Sequence, residues 1–199
     1  QRGYRWTPDN VRILLNDFKD FIDSNTESKF YCLQPIAVVP DGNKYIVIDG
    51  QQRLTTLYLL RKYLQPDDKL YEFEYERDNE KERENFISKI SDCKTIDDSK
   101  IDFYYISQAY ITIKKWFHED DAEEKERCQL KETLDNKQES INDVKKAFID
   151  LLNTVSENEK HIKILWYIVE KEKEHEAFRN SNSGKIQLSN SDLIKALLL

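Results

Sequence analysis

Residues 45–56 read Tyr-Ile-Val-Ile-Asp-Gly-Gln-Gln-Arg-Leu-Thr-Thr, and this stretch decides the fold. An apolar, β-branched run stops at Asp49 and Gly50, and the residues that follow have helical spacing. The stretch from Asp49 to Arg53 is therefore predicted to be a tight turn from a strand into a helix. A helix start presents unpaired backbone N–H groups and a positive dipole end, and both favour a bound phosphate group.

The polar residues of this turn suit a phosphate site. Gly50 lets a ligand approach the backbone closely, and Arg53 offers a planar, permanently charged fork to phosphate oxygens. Gln51 and Gln52 can orient a water molecule or a base edge, but they cannot act as strong bases. A simpler interpretation stays open, in which Asp49 caps an ordinary helix and the next three side chains are only solvated.

Three segments, in this order along the chain, resemble the motifs of one family. Residues 1–6 read Gln-Arg-Gly-Tyr-Arg-Trp, residues 49–56 read Asp-Gly-Gln-Gln-Arg-Leu-Thr-Thr, and residues 178–185 read Phe-Arg-Asn-Ser-Asn-Ser-Gly-Lys. They are similar to the Gln-Arg-x-Tyr-x-Trp, Asp-Gly-Gln-Gln-Arg and Phe-x-x-x-Asn-x-Gly elements of the N-terminal domain of GmrSD restriction endonucleases. The antiphage protein SspE carries a similar domain.

The resemblance implies an α+β fold, with a small ParB/sulfiredoxin-like mixed sheet, flanking helices and a helical insertion. Residues 1–75 would form a nucleotide-binding core that residues 160–199 complete. Residues 76–159, which are rich in charge, would form the insertion. Family members often continue into a C-terminal His-Asn-His-type nuclease domain, and no residues of such a site occur in this chain, so we expect that domain to lie outside it.

The resemblance further implies that a nucleoside triphosphate is bound and hydrolysed. No Gly-x-x-x-x-Gly-Lys-Ser/Thr loop is present, so the phosphate site would be of a different kind. Arg53 and the turn backbone would hold phosphates, and Asp49 would coordinate Mg²⁺ or polarise the attacking water. The predicted catalytic residues are Asp49, Gln51, Gln52 and Arg53, and the predicted nucleotide-binding residues are Arg2, Tyr4, Arg5, Gly50, Thr55, Thr56, Asn182 and Lys185.

Several of these residues have a structural interpretation as well. Arg2 and Arg5 would be ordinary solvated arginines. Tyr4 would pack in the core instead of stacking on a base, as we expect for Trp6. The loop around Asn182 would be a turn followed by a helix cap.

The remaining pattern places other elements around the turn. A helix is predicted over residues 7–22, with Thr7 as the N-cap and Pro8 in the first helical position. A hairpin is predicted from strands at residues 35–39 and 44–48. Further predictions are a half-buried strand at residues 71–75, helical faces at residues 106–117 and 144–155, and a strand at residues 161–169 in a sheet interior covered on both sides.

Composition narrows the class of protein. The net charge is −7, with 38 acidic and 31 basic residues, which argues against a general DNA clamp. The three cysteines are unsuited to a disulfide framework, and no apolar run approaches the length of a membrane span. We therefore expect a cytoplasmic protein without a membrane partner. DNA contacts are expected through the full-length protein, and a homodimer is left open.

The favoured function is that of an NTPase module in a bacterial restriction or antiphage-defence protein, where it regulates a nuclease domain outside this chain. The alternative is a ParB-like module that binds DNA or protein without nucleotide turnover. A sulfiredoxin-like redox enzyme is set aside, because it needs a reactive cysteine where this turn has Gln51 and Gln52.

Overall fold

The chain forms an α+β fold in which helices cover part of a small mixed sheet, as expected. A computed structural model describes residues 3–68, 71–73, 90–92, 94–117, 140–154, 156–173 and 176–177. In chain order its elements are α1 (Pro8–Asp23), β1 (Phe30–Asp41), β2 (Lys44–Asp49), α2 (Gln51–Leu64), a 3₁₀ turn (Ile90–Asp92), α3 (Ile101–Trp116), α4 (Ile141–Asn153), β3 (His161–Ile168) and a second 3₁₀ turn (Lys171–Lys173).

The sheet has the strand order β2-β1-β3. Strands β1 and β2 form the predicted antiparallel hairpin, whose turn contains Gly42 with a φ of 60°. Strand β3 returns parallel to β1, as expected for a connection that runs through helices. Leu33 pairs with Ile164 whereas Ile36 pairs with Trp166, so β1 contains a bulge of one extra residue at this point.

Helix α1 begins as its sequence predicts. Thr7 is the N-cap, Pro8 occupies the first turn, and the Thr7 backbone N–H donates to Asn10 Oδ1 over 3.1 Å. The buried face of the helix consists of Val11, Leu14, Leu15 and Phe18.

One hydrophobic core joins all four described helices to the end of the sheet where β1 and β3 begin. Helices α3 and α4, which arise from the charged 76–159 segment, contribute to this core as fully as α1 and α2 do. The predicted faces of α3 and α4 supply its aromatic centre, in which the rings of Phe18, Trp116, Phe117 and Phe148 are in contact.

Strand β3 differs from its prediction. It lies at the edge of the sheet formed by the described strands, and Trp166 and Ile168 are 42% and 55% exposed. The expectation of a strand covered on both sides is wrong. The Ile and Trp residues predict an apolar strand, but they do not reveal whether other elements cover its two faces. The Trp166 ring instead meets Tyr45 of β2 edge to face, with centroids 5.3 Å apart.

Residues 71–73, the described part of the predicted strand at residues 71–75, are not in a strand. The rings of Tyr71 and Phe73 pack edge to face against Tyr58 of α2. The Tyr71 hydroxyl donates to the carbonyl of Leu54. The alternating aromatic residues Tyr71 and Phe73 therefore pack against α2 instead of forming a strand. Within the described residues, no helix has both the length and the apolar character that crossing a membrane requires.

Candidate functional site

The turn from β2 into α2 is built around Gly50. Asp49 is the last residue of β2, and Gly50 has φ 101° and ψ 3°, a left-handed conformation that favours glycine. Gly50 is the N-cap of α2, and no side chain caps the helix. The interpretation of Asp49 as the cap is therefore wrong. Gln51, Gln52 and Arg53 form the first turn of the helix.

Gly50 is also required by packing. A Cβ atom at this position would lie 2.8 Å from Cγ1 of Ile36, a buried residue of β1. The start of α2 therefore lies directly against the bulged part of β1. A second bulge shifts the pairing of β2, where Val38 faces Val47 but Ala37 faces Asp49.

Arg53 connects α2 to the bulge of β1. Its Nη1 donates to Gln34 Oε1 over 2.9 Å, its Nη2 donates to the Pro35 carbonyl over 2.7 Å, and Asp49 Oδ2 lies 3.6 Å from Nη2. The side chain is 15% exposed. Its Nε is buried and has no hydrogen-bond partner among the described residues. A buried donor of this kind is unusual in folded proteins, and a water or ligand is one way to satisfy it.

Gln52 brings the N-terminal motif to the start of α2. Its Oε1 accepts from the backbone N–H groups of Arg5 at 2.7 Å and Trp6 at 3.1 Å, and its Nε2 donates to the Gly3 carbonyl at 3.0 Å. The amide is thus engaged with backbone groups of an extended segment 46 to 49 residues away in sequence. In this arrangement Gln52 fixes the position of the segment.

Tyr4 supports the site from inside the core. It is fully buried, and its hydroxyl hydrogen-bonds to Thr56 Oγ1 over 2.8 Å. Thr56 Oγ1 also donates to the Gln52 carbonyl over 2.9 Å, and Thr55 is buried beside it. The Tyr4 ring therefore has no exposed face on which a base can stack in this conformation.

Arg5 is held by α3. Its Nη1 contacts Asp102 Oδ1 and donates to the Tyr4 carbonyl over 2.5 Å, while its guanidinium carbon lies 5.4 Å from the centre of the Tyr105 ring. The Arg5 side chain is 34% exposed, whereas that of Asp102 is 11% exposed. The backbone N–H of the same residue donates to Gln52, so the segment that carries this cation is bonded to the first turn of α2.

Asp49 is the exposed acid of the site. Its side chain is 48% exposed, and its described ionic partner is Arg53. Within the described residues, no group of three or more His, Cys, Asp or Glu side chains is placed to hold a metal ion. A single carboxylate is compatible with Mg²⁺, which is often bound through one or two carboxylates together with waters and phosphate oxygens. The neighbouring Gln51 donates from Nε2 to the Val47 carbonyl over 3.2 Å.

The structure thus brings two of the three motif segments together, residues 3–6 and residues 49–56. Arg2, Asn182 and Lys185 lie outside the described residues, and their roles stay predictions. Sequence reasoning missed Gln34, Asp102 and Tyr105, because none of them belongs to a recognisable motif. The position of Asp102 in the first turn of α3, a helix with no other acidic residue, is the one sequence signal that could have pointed to it.

A protein-family model described as the N-terminal domain of GmrSD restriction endonucleases matches residues 1–199, the whole chain. The chain belongs to this family. The GmrSD N-terminal domain described here is accordingly a module of a restriction-type defence protein. No curated protein sequence matches the chain.

Proposed function

We propose that this GmrSD N-terminal domain binds and hydrolyses a nucleoside triphosphate at the start of α2. The observation that carries the proposal is the buried Arg53 Nε, which has no described partner beside a helix N-terminus that no side chain caps. Arg5, whose backbone N–H donates to Gln52 in the same turn, is proposed to contribute a second guanidinium. The amides of a helix start, the helix dipole and guanidinium groups together suit phosphate oxygens.

Each residue has a distinct role in this proposal. Arg53 and Arg5 bind phosphate oxygens and stabilise the charge that develops on them during transfer. Gly50 supplies the left-handed backbone conformation with which the turn enters α2. Asp49 holds Mg²⁺ or polarises the attacking water, and Gln51 orients that water or the nucleotide. Held by Asp49, Mg²⁺ would supply charge neutralisation to the phosphate group.

The other predicted residues act indirectly. Gln52, Tyr4 and Thr56 keep the N-terminal motif against α2 through the hydrogen bonds described above. Thr55 is buried in the same helical turn. Arg2, Asn182 and Lys185 are proposed as further phosphate or nucleotide contacts.

We also propose that the sheet and its helices are a ParB/sulfiredoxin-like core. Nucleotide turnover in this core would regulate a His-Asn-His-type nuclease domain located elsewhere in the full-length protein. Contacts with DNA would be made through the full-length protein. One observation favours the alternative of a binding module without turnover. Arg53 already donates to Gln34 and Pro35, so its guanidinium has a structural role that requires no nucleotide.

Phosphate release from ATP, GTP, CTP and UTP in the presence of Mg²⁺ tests the proposal. We expect one nucleotide to be hydrolysed, and Arg53→Lys to reduce kcat/KM by about 10²-fold, because lysine lacks the Nε donor and the planar fork. Arg12→Lys is the matched control, since Arg12 is an exposed arginine that pairs with Asp9 on α1.

Omission of Mg²⁺ and the Asp49→Asn variant distinguish nucleotide hydrolysis from binding without turnover. Loss of turnover with retained nucleotide binding in Asp49→Asn would support hydrolysis at this turn. Binding of a nucleotide without any phosphate release from the wild-type chain would favour the alternative. Failure to bind any of the four nucleotides would refute the proposed site.

A further inference from the structure

We propose that Asp102, a residue of α3 outside every motif, is a positioning residue that fixes the guanidinium of Arg5, whose backbone is bonded to the first turn of α2. The inference rests on the proposed function, in which Arg5 binds phosphate. Asp102 lies in the first turn of α3, where the helix dipole stabilises a carboxylate. Its side chain is nearly buried, and its carboxylate contacts Arg5 Nη1.

Three contacts on one side hold Arg5. Nη1 contacts Asp102 and the Tyr4 carbonyl, and the guanidinium lies over the Tyr105 ring. Neither Nε nor Nη2 of Arg5 has a hydrogen-bond partner among the described residues. The guanidinium is therefore ordered before a ligand arrives, while part of its donor set stays available. Such preorganisation lowers the entropy cost of binding an anion.

Asp102 also sets the path of the backbone that carries Arg5. A Cβ atom on Gly3 would lie 2.0 Å from Asp102 Oδ1, so only a glycine lets the chain pass this close to the carboxylate. The carbonyl of Gly3 accepts from Gln52 of α2. Asp102 thus touches the N-terminal segment at the two residues on either side of Tyr4, and that segment is bonded to the start of α2.

The buried carboxylate distinguishes a positioning role from simple packing. Asparagine has nearly the same shape as aspartate but lacks the charge that pairs with Arg5. Asp102→Asn therefore keeps the volume against Gly3 and removes the ionic restraint. If Asp102 acts through Arg5, its replacement has an effect on nucleotide affinity only when Arg5 is present.

A double-mutant cycle measures this dependence. The Kd of the nucleotide identified by phosphate release is determined for the wild type, Asp102→Asn, Arg5→Gln and the double variant, with the Tm of each. We expect Asp102→Asn alone to weaken binding about tenfold, and to change Kd less than about twofold in the Arg5→Gln background. Asp98→Asn is the control. It removes the same charge from an exposed acid that lies shortly before α3. Equal weakening in both backgrounds would overturn the inference.

A measurement on the nucleotide-free protein tests this inference independently of the proposed function. In ¹⁵N-edited NMR spectra, a held Arg5 guanidinium gives resolved Nη–H signals, assigned by their absence in Arg5→Gln. We expect these signals to merge in Asp102→Asn and to persist in Asp98→Asn. If the wild-type chain binds no nucleotide but the signals merge, the proposed function fails and the positioning of Arg5 by Asp102 stands. If the signals are unchanged in Asp102→Asn, the inference fails whether or not a nucleotide binds.

Discussion

At the scale of single residues, two glycines with positive φ have different constraints. Gly42, in the hairpin turn, has φ 60°, and an added Cβ would have no neighbour within 4 Å. Gly50 has φ 101°, and an added Cβ would lie 2.8 Å from the Ile36 side chain. The first glycine is thus required by conformation alone, whereas the second is required by conformation and by the contact between α2 and β1.

The comparison of these two glycines gives a prediction. We expect Gly50→Ala to lower the free energy of unfolding by about 2–4 kcal/mol, since it adds backbone strain and a clash with Ile36. Gly42→Ala, the control, should lower it by about 1 kcal/mol through strain alone. Urea denaturation followed by circular dichroism measures both values. Equal losses for the two variants would show that the contact with Ile36 carries no cost.

At the scale of secondary-structure elements, the ends of the helices are satisfied in different ways. Helix α4 begins with a capping box, in which Ser140 accepts from the Asp143 backbone N–H and Asp143 accepts from Ser140. The hydrogen bonds from Ser140 lower the pKa of Asp143. The carbonyl groups at the end of α1 are bonded to Lys160, the residue before β3. Lys160 Nζ donates to the carbonyls of Phe21, Ile22 and Ser24 at 2.7, 2.8 and 2.5 Å.

Lys160 therefore joins the end of α1 to the beginning of β3, and its removal leaves three helix-end carbonyls without this donor. We expect Lys160→Met to lower the free energy of unfolding by about 1.5–3 kcal/mol, the range for hydrogen bonds that involve a charged group. Lys171→Met is the control, because Lys171 is 71% exposed and lies 4.0 Å from Asp41. It should change stability by about 0.5 kcal/mol or less. Thermal and chemical denaturation of both variants measure these changes. Equal losses of unfolding free energy in the two variants would contradict the capping role of Lys160.

At the scale of the whole molecule, the core crosses the predicted domain boundary. Phe148 of α4 is fully buried and contacts the rings of Phe18 in α1 and Trp116 and Phe117 in α3. Helices from the charged 76–159 segment therefore pack with α1 instead of forming a core of their own within the described residues. Asp102 and Arg5 extend the same connection to the candidate site.

This shared core predicts cooperative unfolding. We expect Phe148→Ala to lower the free energy of unfolding by about 3–5 kcal/mol, and the whole chain to unfold in one transition that shifts as a unit. Ile168→Ala, on the exposed face of β3, should cost about 1 kcal/mol or less. The tryptophan fluorescence and the far-ultraviolet circular dichroism signal should report the same midpoint. Two separate transitions in Phe148→Ala would identify an autonomous 76–159 unit.

Local patterns in the sequence determined much of the fold. Thr7 and Pro8 predicted the start of α1, the Gly42 turn predicted the hairpin, and the apolar spacing of α3 and α4 predicted their buried faces. These features depend on neighbours within a few residues, so the periodicity of apolar residues and the chemistry of helix caps are enough to predict them. The motifs likewise placed the candidate site at Asp49 to Arg53 and associated the N-terminal segment with it.

Only the tertiary structure decided the roles of the residues at that site. The sequence showed Gln52 as a polar residue of a turn, but its amide is engaged by backbone 46 to 49 residues away. It showed Asp102 as one acid among 38, although this carboxylate is nearly buried against Arg5. It showed β3 as apolar without revealing that the strand lies at an edge. Contacts between distant segments depend on the path of the whole chain, and a local pattern contains no record of that path.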